Sequence, residues 1–360
     1  MDNNQKNVAT AAPATAAAPA QAKPAQKVIT VTAQQMEKIK KFSASVAAIK
    51  QEIKRDVVGQ EDIVNDVIIA IIAGGNVLLE GVPGVGKTRL VRTLGRVLNL
   101  PFSRIQFTPD LMPSDITGAN IVEKDENGKL NTVFRRGPIF ANLVLADEIN
   151  RATPKTQSAM LEVMQEQKVT VSGNVYELSE PFFVLATENP IEQDGTYPLP
   201  EAQLDRFMFK LVMKFPSVDE LLEIVNMTGR TMRETSNGVT DGATILEMRE
   251  LAKDVPIVPE VMNYIMRLVA NTHPERKESV DATKKYVKYG ASPRAAQAIA
   301  KAAKVRSLIR GSFNVSYEDV DALAYSVLRH RIKINFAASN DKLTVDDVIA
   351  LIIKETRAQR

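Results

Sequence analysis

"NVLLEGVPGVGKTRLVRTLGRVL", residues 76–98, joins a short apolar run to an amphipathic segment through a loop rich in glycine. Val77, Leu78 and Leu79 show no polar alternation, the pattern of a strand buried on both faces. Beyond the loop, Leu90, Val91, Leu94 and Val97 recur at the helical period and predict a helix. Strand, glycine loop and helix in that order predict an α/β unit.

Four more apolar runs read the same way: "RIQFT" (104–108), "NLVLADE" (142–148), "PFFVLATEN" (181–189) and "RFMFKLV" (206–212). With 76–80 they predict a parallel five-stranded sheet with helices between its strands. Two stretches alternate instead. The one near 120–135 carries an Asn127-Gly128 turn, and the one near 169–179 carries Ser172-Gly173-Asn174. Both predict β-hairpins inserted into the core. Upstream, residues 33–57 have helical spacing, and in "EDIVNDVIIAIIAGG" (61–75) Ile63, Val64, Val67, Ile68 and Ile71 form one apolar face that the glycine pair ends. Past Pro216 the strand signal stops and six segments have helical period. Two of these open on capping pairs, Ser316 with Asp319 and Thr344 with Asp347. The organisation expected is an Ala/Pro-rich disordered tail (1–30), an α/β nucleotide-binding core (31–215) and an all-α lid domain (216–360).

The 360 residues carry a net charge of +3, with 44% hydrophobic and 25% charged residues, which suits a globular chain and does not by itself imply a polyanionic partner. There is no Cys, which excludes disulfides, thiolate catalysis and Cys-bound zinc. The two histidines, His273 and His330, read as capping or surface residues. The most apolar stretch, 67–79, is broken by Gly74, Gly75 and Asn76 and is too short to span a bilayer, so no membrane insertion and a cytoplasmic location are expected.

Gly81, Gly86, Lys87 and Thr88 fit G-x-x-x-x-G-K-[ST], a loop whose backbone N–H groups form a nest for phosphate oxygens at a helix N-terminus. Lys87 neutralises the outer phosphates and the Thr88 hydroxyl serves magnesium. A chance match in a glycine-rich turn is the competing reading, opposed by the strand before and the helix after. At the end of "LVLADE", two adjacent carboxylates follow a buried strand, an arrangement that costs several kcal/mol unless cations face it. Asp147 is expected to face the magnesium of a bound nucleotide, and Glu148 to take the proton of the attacking water. A solvated turn is the plainer alternative. Asn189 ends "FFVLATENP", where it can orient that water, and Pro190 stops the strand. Arg206, in "YPLPEAQLDRF", is not explained by the adjacent Asp205. Offered to a neighbouring subunit's γ-phosphate, it would stabilise transition-state charge.

Together these residues resemble the AAA+ ATPases, and within them the MoxR family, over residues 45–360. The stretches that carry the resemblance are "LLEGVPGVGKT", "QFTPDLMPSDITG", "FRRGPIFANLVLADEINRA", "TQSAMLEVMQE" and "ATENPIEQDGTYPLPEAQLDRF". The resemblance implies that "DVVGQ" lines an adenine pocket through Val58 and Gly59. It also implies that Gly81, Val82, Pro83, Gly84, Val85, Gly86, Lys87, Thr88 and Arg89 hold the nucleotide. Asn189 is then a first sensor, Arg206 a trans-acting finger, and Arg294 of "GASPRA" a second sensor acting in its own subunit or a neighbour's. The two hairpins match the insertions that face the pore in ring-forming relatives. Glu188 stands where many relatives have Gln, and the tail is unlike the family's usual short N-terminus.

The function implied is an ATP-hydrolysing, magnesium-dependent oligomer, a hexameric ring or spiral. It would remodel or mature protein clients, with von Willebrand factor A domain proteins as the expected class. A helicase or translocase is the alternative of another class, and a nucleotide-gated scaffold a third. The first hairpin sets Lys124, Lys129, Arg135 and Arg136 against Glu123, Asp125 and Glu126, and the second sets Lys168 against Glu177 and Glu180. Neither is a basic stripe, so no nucleic-acid partner is expected. The charged stretch 273–290 reads as a helix with a solvated face.

Overall fold

The computed structural model describes residues 32–126, 128–190, 195–229 and 235–359. The expected tail (1–30) and Asn127 of the first hairpin's turn lie outside the described residues.

The first half runs α1 (Ala33–Lys54), α2 (Glu61–Ala73), β1 (Val77–Glu80), α3 (Lys87–Val97), β2 (Phe102–Gln106), α4 (Pro113–Thr117), β3 (Gly118–Lys124), β4 (Leu130–Arg136) and β5 (Leu143–Asp147). Next come α5 (Pro154–Glu166), β6 (Lys168–Val171), β7 (Asn174–Glu177), β8 (Phe183–Glu188), α6 (Glu201–Leu204) and β9 (Phe209–Val212). The helical third holds α7 (Val218–Gly229), α8 (Gly242–Lys253), α9 (Pro259–Ala270), α10 (Asp281–Tyr286), β10 (Val287–Tyr289), α11 (Pro293–Ile309), α12 (Tyr317–Leu328), β11 (Lys333–Ile334), α13 (Phe336–Asn340) and α14 (Val345–Ala358).

The five-stranded sheet has the order β2-β5-β8-β1-β9, parallel throughout. Its strands lack alternation because both faces are covered. Val77, Leu79, Leu143, Leu145, Phe183 and Leu185 pack with α1, α2 and α3. Leu78, Val144, Ala146, Val184 and Ala186 pack with Met160, Leu161 and Met164 of α5. Each of the larger of these side chains, fully buried, contributes about 1.5–3 kcal/mol, and Ala146 and Ala186 correspondingly less. The apolar face expected on α2 widens over its second half, where Ile69, Ala70 and Ile72 are buried as well. The reason is tertiary, since α2 is enclosed by α1, α8, α11 and β9.

The hairpins β3–β4 and β6–β7 stand outside the sheet, joined to each other by Asn120 Nδ2 donating to Ser172 Oγ at 3.0 Å. Ser172 and Gly173 both have positive φ (49° and 83°), which matches the twist a two-residue hairpin turn needs.

The C-terminal third is helical, with both expected capping boxes formed at Ser316/Asp319 and Thr344/Asp347. Small residues along α11, among them Ala295, Ala298, Ala302 and Ala303, are buried and let α1, α2, α8, α9 and α12 approach closely. The lid therefore shares one continuous core with α1 and α2.

Five local expectations are corrected. The second strand begins at Phe102 and ends at Gln106 rather than spanning 104–108, and the fifth begins only at Phe209. Residues 273–290 are not one helix. Pro274 follows His273, Ser279 Oγ donates to His273 O at 2.6 Å, and only Asp281–Tyr286 is helical before β10 pairs with β11. That pair adds two short strands to a lid read as wholly helical. His330 is neither a cap nor a surface residue: it is buried, with Nε2 donating to Phe207 O at 3.1 Å. Burial and the adjacent Arg331 hold its pKa well below the usual histidine range.

Candidate nucleotide site

The loop after β1 is shaped by dihedrals rather than by crowding. Gly84 and Gly86 have φ of 85° and 91°, and a Cβ at either would meet nothing within 4 Å. Glycine is required there because other residues enter the left-handed region only with strain. Gly81 differs, since a Cβ would lie 3.1 Å from Met213 Cβ and 3.3 Å from Val85. Lys87 opens α3 and is buried, its Nζ donating to Gly81 O at 2.7 Å and Glu188 O at 3.3 Å. The ammonium thus ties the start of the loop to the end of β8. Thr88 and Arg89 follow, half-buried, while Pro83 and Gly84 are exposed at the crest beside half-buried Val82.

The paired acids sit one strand away. Asp147, the last residue of β5, is buried; its Oδ2 accepts from Arg104 Nε (3.0 Å) and Nη2 (2.7 Å), and its Oδ1 from Thr187 Oγ1 (2.7 Å). Glu148 leaves the strand in the left-handed region, φ 57° and ψ 50°. Its N–H donates to the same Thr187 Oγ1 at 2.8 Å, and its Oε2 accepts from Gln106 Nε2 (2.9 Å) and Arg151 Nη1 (3.0 Å). Cations and donors from β2, β8 and the turn make both carboxylates tolerable. Arg104, Gln106, Thr187 and Arg151 were not singled out in the sequence. A signal existed: Arg104 and Gln106 flank buried Ile105 in "RIQ", placing two polar groups on one side of a strand, and Gln106 is the register partner of Asp147.

Asn189 is buried directly beyond β8. Beside it, burial and the neighbouring Glu80 carboxylate push the Glu188 carboxyl above its usual range, and Lys210 pulls it back. Lys210 itself pairs with Glu80 at 2.5 Å.

A pocket of about 240 Å³ opens next to the loop, lined by Val58, Gln60, Gly84, Val85, Gly86 and Arg89 on one side and by Met213, Phe215, Leu221, Ile224 and Met227 on the other. The α7 wall of this pocket was invisible to sequence reasoning, because its apolar residues read only as a helix core. Gly59 does not line the pocket but a second cavity between α1 and α2. Its φ of 66° and the Glu220 carboxylate, 2.0 Å from where a Cβ would be, explain the glycine. A larger cavity of about 680 Å³ lies between α1 and α8 and touches none of these residues.

Arg206 and Arg294 are both displaced from the loop's own contacts. Arg206 is exposed, its Nη1 3.4 Å from Leu161 O. Arg294 is drawn to Asp205, with Nη1 3.5 Å from Oδ2. The same carboxylate accepts from Ser292 Oγ at 2.8 Å and Arg331 Nε at 2.8 Å. Asp205 is therefore one of the points where the lid is tied to the core, a role with no sequence signal.

In chemical terms the arrangement offers backbone donors, an ammonium and a helix N-terminus for phosphates, and an apolar pocket for a base. The Thr88 hydroxyl and Asp147 carboxylate are hard oxygen donors of the kind magnesium takes. Among the described residues no cluster of three or more His, Cys, Asp or Glu could hold a metal alone, so the ion's remaining ligands would be phosphate and water. No helix among them is long and apolar enough to cross a membrane.

Residues 76–209 match the model of the ATPase family associated with various cellular activities (AAA), and residues 280–352 match the AAA lid domain. Chaperone MoxR1 of Mycobacterium tuberculosis is 42% identical over 303 residues, covering 84% of this chain and 79% of that protein. Protein MoxR of Methylorubrum extorquens is 30% identical, covering 80% of this chain and 87% of its own length. The crystal structure of a Cytophaga hutchinsonii protein superposes with a TM-score of 0.82 at 38% identity, covering 89% of this chain and 97% of that one. The glycine loop, the paired acids on a parallel sheet and these matches agree: the chain belongs to the MoxR family of AAA+ ATPases and hydrolyses ATP.

Proposed function

We propose that this ATPase works as an oligomeric, chaperone-like motor on protein clients, using magnesium-bound ATP. The observation that carries the reading is the placement of the closed loop and the acid pair on either side of β8. With strands about 4.8 Å apart, β1 and β5 are about 10 Å from each other, room for the outer phosphates between Lys87 and Glu148. Glu148 then receives the proton of the attacking water, yielding ADP and inorganic phosphate, while Lys87 and the loop amides hold the departing charge. Thr88 and Asp147 are the residues assigned to magnesium, which would offset phosphate charge. Asn189 is assigned to the attacking water and Arg294 to sensing across the lid.

The exposed Arg206 supports assembly into a ring or spiral, since a cation aimed outward serves a neighbour's phosphate better than its own. Relatives named as a chaperone and as MoxR proteins support protein clients, with von Willebrand factor A domain proteins as the proposed class and the cytoplasm as the proposed location. Mixed charge on the hairpins gives no support to a nucleic-acid motor.

The test is Glu148→Gln. The variant should bind ATP with wild-type affinity and assemble normally, while its steady-state phosphate release falls at least 100-fold, within the range general bases contribute. Wild-type turnover in that variant removes Glu148 from its assigned role.

A further inference from the structure

Thr187 holds a position that the assigned roles leave unexplained. It lies in β8 with no exposed surface, two residues before Asn189 and between the strands that carry the loop and the acid pair. Its single hydroxyl makes two bonds in opposite senses. The O–H donates to Asp147 Oδ1 at 2.7 Å, and the oxygen accepts the N–H of Glu148 at 2.8 Å. One atom therefore sets the rotation of one carboxylate and the backbone of the next.

The second bond matters because of what it holds. Glu148 has left-handed dihedrals, which in a non-glycine residue persist only when surroundings impose them. The Thr187 oxygen anchors the N–H of the Asp147–Glu148 peptide, the plane from which that turn departs. The first bond leaves Asp147 Oδ2 to Arg104 and keeps Oδ1 turned toward β8, the strand beside the phosphate loop.

We propose that Thr187 is a positioning residue for hydrolysis: through one hydroxyl it aims the Asp147 carboxylate and anchors the Asp147–Glu148 peptide from which the Glu148 side chain is presented to the nucleotide. The inference rests on the roles assigned above to Asp147 and Glu148. Thr187 is fully buried with its hydroxyl bonded to those two residues, so it acts through them. Groups that orient a metal-facing carboxylate typically cost 10–100-fold in affinity or rate when removed, so about that loss is expected.

The test uses the full-length chain with Thr187→Val, nearly identical in shape but lacking the hydroxyl, and Thr187→Ser, which keeps it. Steady-state phosphate release, affinity for a fluorescent ATP analogue without magnesium, and the magnesium concentration giving half-maximal tightening of that analogue are measured on each. Glu148→Gln is run beside them. In the Val variant we expect kcat to fall about 10–100-fold, the half-saturating magnesium concentration to rise several-fold, and magnesium-free nucleotide affinity to stay within twofold. The Ser variant should restore both within about threefold of wild type. Wild-type kcat and magnesium dependence in the Val variant overturn the proposal. So does failure of Ser to rescue, or loss of the cooperative thermal melt in Val, which makes the hydroxyl a folding element. If Glu148→Gln itself turns over normally, the assigned role of Glu148 fails first, whatever Thr187 does.

Discussion

Asp205 and Arg331 form an ion pair of 2.8 Å in which the guanidinium is 3% exposed. Arg331 also donates to the carbonyls of Asp205, Phe207, Met208 and Val327, so all of its fork is used within the core. The pair joins the lid to the chain entering β9, immediately beside Arg206. Breaking one side of a buried pair leaves the other charge without compensation, at a cost of about 3–5 kcal/mol. Asp205→Ala is expected to lower the unfolding free energy by that amount, read from the midpoint of a urea titration. A change below about 0.5 kcal/mol, the size of an ordinary surface substitution, would show that the contact does not hold the lid.

Lys87→Ala should weaken ATP binding roughly 10–100-fold, the equivalent of losing one or two hydrogen bonds to a charged group. Because Lys87 also bridges Gly81 O and Glu188 O, part of the loss reflects a loosened loop. Direct titration with a fluorescent nucleotide measures it, and unchanged affinity would contradict the loop assignment.

Arg206→Ala should reduce turnover by about 10³–10⁵ if the arginine reaches a neighbour's phosphate. Mixing Arg206→Ala subunits with Lys87→Ala subunits then decides between cis and trans action. In a random one-to-one mixture about a quarter of the interfaces would pair an intact loop with an intact arginine in the trans case, and no subunit would carry both in the cis case. Activity that neither variant shows alone is the expected result; an inactive mixture places Arg206 in its own site.

Asp66 sits between α2 and the lid, with Ser326 Oγ of α12 donating to Oδ2 at 2.6 Å. Burial, aided by the neighbouring Asp62, pushes its pKa up to about 6, against the opposing pull of Ser326, Arg306 and Arg329. A carboxyl whose pKa is higher folded than unfolded contributes stability that is complete below about pH 4 and lost as pH rises through 6. Asp66→Asn mimics the protonated form. It should therefore stabilise the protein by on the order of 3 kcal/mol at pH 7.5, by on the order of 1 kcal/mol at pH 4.5, where the unfolded carboxyl is already largely ionised, and by little only near pH 3. Thermal melts across that range test this. Equal effects at all three pH values would assign the change to packing rather than charge.

Much of the fold was legible locally. The buried strands announced themselves by continuous apolar runs, the glycine loop by its spacing, and the lid helices by period and capping pairs such as Ser316 with Asp319. The acids were legible for a similar reason, since two carboxylates after "LVLA" are too costly to stand without cations nearby. Strand limits at Phe102 and Phe209 slipped because the edge of an apolar run does not say where pairing begins.

What the chain determines by itself is the kind of chemistry: a phosphate loop, a paired acid and helical segments, each encoded within a few neighbouring residues. Only the tertiary structure decided which distant groups complete them. Thr187 reaches Asp147 and Glu148, Arg104 reaches Asp147, Asp205 collects three lid residues, and His330 is buried. These partners lie tens to more than a hundred residues apart. Their meeting follows from the crossing of parallel strands and the packing of α11 against the core, which no local period records.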